Sequence, residues 1–323
     1  MLAVVPPGAD EKAALLRELP DPEPGAGEVL IRVRATALNR ADLMQLRGLY
    51  PPPPGESEVP GLECSGEIAA LGVGVAGWQV GDRVMALLAG GGHGEQVAAP
   101  VGQLMPIPEG LSFVDGAALP EVALTAWTNL VAEGRLEAGQ TVLITAAASG
   151  VGTFAVQLAR ELGARVLVAG RNLERLERLR PLGADACLEL GDGLADAARQ
   201  ATGGAGVDLV IDLAGGAGVA ERLRALCPRG RLILVGLLAG ARAEIDLADV
   251  LRRRLRFVGS VLRARSRAEK AELVAGFHAF AEERLADGRL RPVVDRVMPF
   301  AEIGNAYRQL EQGGVLGKIV LET

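Results

Sequence analysis

Apolar and polar positions along this chain follow two periods, and the change from one to the other marks its parts. Between residues 141 and 260 short apolar runs alternate with amphipathic stretches at helical spacing. The runs predict strands Thr141–Ala146, Arg165–Ala169, Ala186–Leu188, Val207–Asp212, Arg231–Val235 and Arg256–Ser260. The stretches predict helices Val151–Leu162, Leu173–Leu182, Leu194–Ala201 and Val219–Leu226, with a helical turn at Leu247–Arg253. Strands joined by right-handed helical crossovers make a parallel, doubly wound sheet of the Rossmann type, in the order 3-2-1-4-5-6. Its ligands are expected at the carboxyl ends of the strands, at Ala146–Gly152, Gly170–Asn172, Leu213–Gly216, Gly236–Leu238 and Ser260–Leu262.

The flanks read differently. Period-two alternation predicts strands Glu28–Thr36, Cys64–Leu71 and Arg83–Leu88, punctuated by turn residues at Pro51–Gly55, Gly72–Gly77 and Gly90–Gly94. This is the pattern of a small β-rich barrel. The last flank predicts helix Ala268–Leu285, strand Val293–Pro299, helix Ala301–Glu311 and strand Lys318–Leu321, which have no place in the doubly wound order. The expected fold class is therefore α/β, with a dinucleotide-binding Rossmann domain over 126–262 and a β-rich, barrel-like catalytic domain built from 1–125 and 263–323.

Composition narrows the function classes. The net charge is −6 and the sole basic cluster is Arg252-Arg253-Arg254, read as a solvated helix end, so nucleic acid is not the expected main partner. No apolar run approaches the ~20 residues of a membrane span, and Met1–Pro7 lacks the charged start of a signal peptide, so a cytoplasmic protein is expected. Cys64, Cys187 and Cys227 are dispersed and read as small buried side chains in a reducing compartment. His93 and His278 stand without further ligands at metal spacing, so no metal site is expected.

The chemistry lies at the turn Ala147-Ala148-Ser149-Gly150-Val151-Gly152, where small residues link a buried strand to an amphipathic helix. Such a turn lets the backbone approach a pyrophosphate whose charge faces the helix N-terminus. The fingerprint is imperfect, since Ala147 and Ser149 fill the first two glycine positions and only Gly152 keeps the third. NAD sites place an Asp or Glu at the end of the next strand; here that position is Gly170, followed by Arg171, Asn172 and Arg175. A missing carboxylate and an available guanidinium favour the 2′-phosphate of NADPH.

Several motifs together carry a family resemblance. Asn39-Arg40-Ala41-Asp42, Gly48-Leu49-Tyr50, Gly61-Leu62-Glu63-Cys64-Ser65-Gly66, Val80-Gly81-Asp82-Arg83-Val84, Leu124-Thr125-Ala126-Trp127 and the glycine turn resemble signatures of the medium-chain dehydrogenase/reductase superfamily. Within it the chain is most similar to the zinc-free quinone oxidoreductases related to zeta-crystallin. Ala37–Pro53 and Met105–Glu121 resemble the tumour-suppressor-inducible branch of that family. The resemblance implies a GroES-like catalytic domain. It also implies no zinc, because the superfamily's metal-ligating Cys and His positions are occupied by Asn39 and Leu62.

By the same resemblance Ser149, Gly150, Val151 and Gly152 would meet the pyrophosphate, with Gly170 and Arg171 near the 2′-phosphate. Gly236, Leu237, Ser260, Val261 and Leu262 would lie beside the cofactor, Lys318 would reach it, and Thr125 would orient the nicotinamide amide. Asn39, Asp42 and Tyr50 match residues beside the nicotinamide ring, with Tyr50 the expected donor to a developing oxyanion and Asn39 also able to serve as a structural hydrogen-bonding group. Leu190 departs from the pattern, as many NADPH-dependent relatives carry Tyr there. The expected activity is NADPH-dependent reduction of small or medium quinones. The alternatives are reduction of enoyl thioesters or other activated alkenes, and a non-enzymatic NADPH-binding protein. A homodimer joined through the outer strand Arg256–Ser260 is the expected assembly.

Overall fold

The computed structural model describes residues 1–6 and 15–323, so Pro7 of the Met1–Pro7 stretch lies outside the described residues. The chain divides into two compact units, Met1–Leu124 with Leu262–Thr323, and Thr125–Val261.

The first unit opens with an antiparallel pair, β1 (Leu2–Val5) and β2 (Leu15–Glu18). Then follow β3 (Glu28–Ala37), α1 (Arg40–Leu46), β4 (Glu63–Leu71), β5 (Arg83–Leu87), β6 (Gln96–Pro100), β7 (Leu104–Pro106), α2 (Phe113–Ala117) and α3 (Pro120–Trp127). Along β3, Val29, Ile31 and Val33 are buried while Arg32 and Arg34 are exposed, the period-two signature of a sheet with one face on a core. That core adds Ile68, Val84, Ala86, Val97 and Ala99 from β4, β5 and β6.

The second unit carries β8 (Thr141–Thr145), α4 (Gly150–Glu161), β9 (Arg165–Gly170), α5 (Leu173–Glu177), β10 (Ala186–Glu189), α6 (Leu194–Ala201), β11 (Val207–Asp212), α7 (Val219–Ala225), β12 (Leu226–Leu234), α8 (Leu247–Arg253) and β13 (Arg256–Gly259). Its six strands run in the order β10-β9-β8-β11-β12-β13 and every pairing is parallel. This is the 3-2-1-4-5-6 order expected from the alternation of apolar runs and amphipathic stretches. β8, β9 and β11 are almost continuously buried, as strands covered by helices on both faces must be.

The chain then returns to the first unit with α9 (Arg267–Ala286), β14 (Val294–Pro299), α10 (Ile303–Gln312) and β15 (Lys318–Glu322). β15 lies between β14 and β3 in a seven-stranded sheet, β14-β15-β3-β4-β5-β7 with β6 also on β3, so the last strand completes a sheet begun by the first flank. The architecture is thus a Rossmann sheet together with a GroES-like, β-rich unit made from both flanks.

Three local departures from the sequence reading have physical causes. The helix expected over Leu173–Leu182 stops at Glu177 and resumes as a 3₁₀ turn at Arg180–Leu182, because Pro181 offers no N–H to a helical ladder. β12 begins at Leu226 rather than Arg231, and the register of its pairing with β11 shifts around Arg229, whose φ of 66° suits a bulge. The helix expected from Ala301 opens as a 3₁₀ turn at Phe300–Glu302 before α10. Among the described residues no helix is long and apolar enough to cross a membrane.

Candidate functional site

In the second unit the turn 147–152, Gly170 with Arg171, Gly236 with Leu237, and Ser260 with Val261 lie at or just past the carboxyl ends of β8, β9, β12 and β13. Ala146 closes β8 with a φ of 47°, a left-handed turn uncommon outside glycine. Ser149 then caps α4, its Oγ accepting the N–H of Gly152 at 3.1 Å. The N–H groups of Gly150 and Val151 have no carbonyl one turn back to bond, which leaves the helix start as an anion-binding end. Gly152 is required by close approach, for a Cβ there would lie 2.5 Å from the Ala147 backbone. Strand and helix are therefore held as tightly as the third glycine of a dinucleotide turn demands, and the residues present fit a bound dinucleotide.

The neighbouring strand ends extend this surface. Gly170 is buried at the end of β9 and Arg171 is exposed just beyond it. Leu190 donates its N–H to Gly170 O at 2.9 Å and so lies beside this turn. Past β12 and β13, Leu237 and Val261 are 54% and 50% exposed, whereas Ser260 and Leu262 are buried. Thr125, near the C-terminal end of α3, is buried and accepts Asn129 Nδ2 at its carbonyl, 2.7 Å away.

The loop after β11 is fixed by side chains that the sequence reading did not single out. Asp212 Oδ1 accepts Thr145 Oγ1 at 3.0 Å and the N–H of Ala214 at 2.9 Å, while Oδ2 accepts Arg222 Nε at 2.8 Å. All three side chains are buried.

The first unit holds a second group of the expected site positions. Asn39 is the N-cap of α1, and its backbone N–H donates to Asp42 Oδ2 at 2.6 Å. Its side chain turns to two charges of opposite sign: Oδ1 accepts Lys318 Nζ at 2.6 Å and Nδ2 donates to Glu63 Oε1 at 2.9 Å. These partners fix which end of the amide is oxygen. Glu63 is fully buried, and it also accepts Lys318 Nζ at 2.7 Å and the N–H of Glu121 at 2.9 Å. Lys318 completes its bonding on Leu38 O at 2.8 Å, so all three of its donors act inside this unit.

Burial is the largest influence on the protonation of Asp42, Glu121 and His93. Asp42, with no exposed surface, is pushed up to about 6 by desolvation, against the bond from Asn39 and the charge of Lys318. It braces α1 from within by accepting the N–H of Asn39. Glu121 is pushed up to about 8, first by desolvation and then by the like charge of Glu63. His93 is pushed down to about 4 by burial, with Nδ1 2.6 Å from the Tyr307 hydroxyl and Nε2 3.9 Å from Asp42 Oδ2, beyond hydrogen-bond range.

Tyr50 is held by a residue the sequence reading passed over. Arg263, 4% exposed, donates Nη1 to Tyr50 O at 3.0 Å, Nε to Ala89 O at 2.8 Å and Nη2 to Gln45 Oε1 at 2.7 Å. Its guanidinium carbon also stands 5.2 Å from the Tyr50 ring centroid, within cation–π range. Partial burial raises the Tyr50 hydroxyl above its ordinary value. Among the described residues no three His, Cys, Asp or Glu side chains gather as a metal-binding group.

Comparison with known proteins agrees with this architecture. The model of the alcohol dehydrogenase GroES-like domain matches residues 25–109, and that of the zinc-binding dehydrogenase matches residues 150–276. Fold and matches together define a medium-chain dehydrogenase/reductase. The chain is 32% identical to the human synaptic vesicle membrane protein VAT-1 homolog over 97% of this chain and 84% of that protein. It is 30% identical to the quinone oxidoreductase-like protein 2 homolog of Nematostella vectensis, over 93% of this chain and 82% of the relative. The crystal structure of the quinone oxidoreductase from Thermus thermophilus, also solved with NADPH, superposes with a TM-score of 0.84 at 37% identity, each chain covered completely. The chain belongs to the zinc-free quinone oxidoreductase family of the medium-chain dehydrogenases/reductases.

Proposed function

We propose that this oxidoreductase uses NADPH to reduce small or medium quinones without a metal. The observation that carries the reading is the pair of strand ends in the second unit. A glycine turn leads into the N-terminus of α4, and the next strand ends in Gly170 and exposed Arg171 where an NAD site would present a carboxylate. The NADPH complex of the Thermus thermophilus enzyme supports the same choice.

When bound, NADPH supplies the hydride. The chain's own residues do the rest: the backbone at Ser149–Gly152 takes the pyrophosphate charge, and Arg171 pairs with the 2′-phosphate. A quinone that gains a hydride carries negative charge on oxygen and must gain a proton to become a hydroquinone. Tyr50 supplies the hydrogen bond for that oxygen, because a phenol hydroxyl can donate and Arg263 fixes its loop. Asn39 keeps its amide orientation through Glu63 and Lys318.

The test is a panel of quinones and enoyl thioesters assayed by loss of NADPH absorbance, with alcohols assayed by its gain from NADP+. Quinones should be reduced fastest and alcohols should not react in the reverse direction. Faster turnover of enoyl thioesters would reassign the chain to activated-alkene reduction, for which a Tyr50 donor serves equally. No oxidation of NADPH with any acceptor would leave a dinucleotide-binding protein that is not an enzyme.

A further inference from the structure

The buried trio Thr145, Asp212 and Arg222 lies at the point where the strand order of the parallel sheet reverses. β8 and β11 are neighbours there, and their crossovers leave in opposite directions, which opens the crevice that ligands of such sheets occupy. Thr145 is the last residue of β8 and Asp212 the last of β11. Their side chains join directly across this point, with Thr145 Oγ1 donating to Asp212 Oδ1 at 3.0 Å and accepting the N–H of Leu213 at 2.9 Å.

From that joint the bonding spreads into the loop. Asp212 Oδ1 also accepts the N–H groups of Ala214 at 2.9 Å and Gly215 at 3.2 Å. Arg222, 3% exposed, closes the ring by donating Nε to Asp212 Oδ2 at 2.8 Å and Nη2 to Gly215 O. Gly218 makes room for it, since a Cβ there would lie 2.5 Å from Arg222 Nη1. Three consecutive loop amides are thereby turned inward onto side chains, and Gly215 and Gly216 take φ values of 63° and 67° to follow them.

The next loop is held by the first. Asp212 O accepts the N–H groups of Val235 at 2.9 Å and Gly236 at 3.2 Å, and Ala214 O accepts Ala239 N at 2.7 Å. The two backbones touch so closely that a Cβ on Gly236 would lie 2.7 Å from Leu213 O, and one on Gly216 2.4 Å from Ala239 O. Any shift of Asp212 is therefore passed to Gly236 and Leu237.

A surface helix needs no buried Thr–Asp–Arg network to end a strand; a loop that must keep one shape does. Buried polar groups impose such a shape because any other arrangement leaves them unbonded. We propose that Thr145, Asp212 and Arg222 are positioning residues for dinucleotide binding, which hold the loops Leu213–Gly216 and Gly236–Gly240 in their binding shape before the ligand arrives. The inference rests on the reading of the second unit as the NADPH site.

Thr145→Val tests it with least risk to folding, because the shape of the side chain is kept and only the hydroxyl is lost. The measurements are NADPH affinity by fluorescence titration and hydrogen exchange at the amides of Leu213, Ala214 and Gly215 in the unliganded protein. We expect faster exchange at those amides and a Kd raised on the order of tenfold. Thr145→Ser, which keeps the hydroxyl, should restore both, and the far-UV spectrum of each variant should match wild type. Unchanged NADPH affinity in Thr145→Val, or unchanged exchange at the three amides, overturns the inference while wild-type binding still supports the NADPH reading. Failure of the wild type to bind NADPH overturns both. A valine variant that does not fold passes the test to Arg222→Lys, for which the same loosening and weakening are expected and the same unchanged results are decisive.

Discussion

The Lys318 ammonium lies 2.7 Å from Glu63 Oε1 with both side chains almost wholly buried, so one of the three lysines in the chain is paired inside the β-rich unit. Its other donors go to Leu38 O and Asn39 Oδ1. Within this unit Lys318 pairs with Glu63 and orients Asn39. Lys318→Met should therefore destabilise the protein by about 3–5 kcal/mol, the cost of leaving a buried carboxylate unpaired. Adding Glu63→Gln should recover much of that loss in denaturant titrations. NADPH affinity of Lys318→Met, measured under folding conditions, should stay near wild type, and a large rise in Kd would return Lys318 to the cofactor.

Glu121 and His93 predict opposite slopes in a stability profile against pH. Glu121 is raised from 4.5 to about 8, so the folded state holds a proton that the unfolded chain has released. Its contribution is complete below pH 4.5 and is lost as pH rises to about 8. His93 is lowered from 6.5 to about 4, so its neutral burial costs nothing above pH 6.5 and destabilises as pH falls toward 4. Glu121→Gln should flatten the decline of melting temperature between pH 6.5 and 8 without altering the acid limb. An unchanged decline would show that Glu121 ionises as an ordinary carboxylate.

Arg171 is expected to set the preference for NADPH over NADH. It is exposed and follows Gly170, so the carboxylate that an NAD site places at the end of this strand is missing. Arg171→Ala should weaken NADPH by about tenfold and leave NADH nearly unchanged, as the loss of one charge-assisted contact would. Equal affinities for the two dinucleotides in the wild type would sink this assignment.

Tyr50→Phe should lower kcat for quinones while NADPH affinity holds, because the lost donor acts on charge that develops at the acceptor. An oxyanion donor acting alone is worth on the order of 10²-fold, and reactive quinones need less help than that. The variant keeps the ring that Arg263 faces and the carbonyl it bonds, so the loop should survive. Unaltered turnover across several quinones would make Tyr50 a packing residue.

What could be read from the sequence depended on the range of the interaction. The parallel sheet was legible because its buried strands are apolar runs and the helices between them keep a helical period. β1, β2, β6 and β7, each five residues or shorter, carry too little alternation to stand out. The helix α1 did have a signal, Asn39 with Asp42 three positions on, which is an N-cap pattern; its motif character drew attention from its capping role. The buried networks could not be read, since Asn39, Glu63 and Lys318 meet only through the pairing of β3 with β4 and β15. Glu63 did leave one trace, a charge within the apolar stretch Gly61-Leu62-Glu63-Cys64. Thr145 and Asp212 stand likewise at the polar ends of apolar strands, where position along a strand, not residue type, gives them their role.

The outer strand β13 bears on assembly. Among the described residues it pairs with β12 alone and ends the six-stranded sheet, which leaves its second edge without a strand partner. Phe257 on this strand is 46% exposed, and Leu247 and Leu251 of α8 are 72% and 78% exposed. The cluster Arg252-Arg253-Arg254 could oppose a partner by charge, yet Arg253 turns inward to Asp249 at 2.6 Å and to Leu226 O, and Arg252 lies 3.8 Å from Asp249. Two of the three arginines thus face a carboxylate within their own unit, and the repulsion they would exert is reduced. A two-fold axis beside β13 would pair the edges antiparallel and cover the exposed side chains of both copies. Light scattering at micromolar concentration should give twice the chain mass of 33.5 kDa. Phe257→Lys, which places a charge on the edge, should shift the protein toward monomer. A wild-type monomer throughout that range would remove the edge-pairing argument, and a dimer indifferent to Phe257→Lys would move the interface to another face.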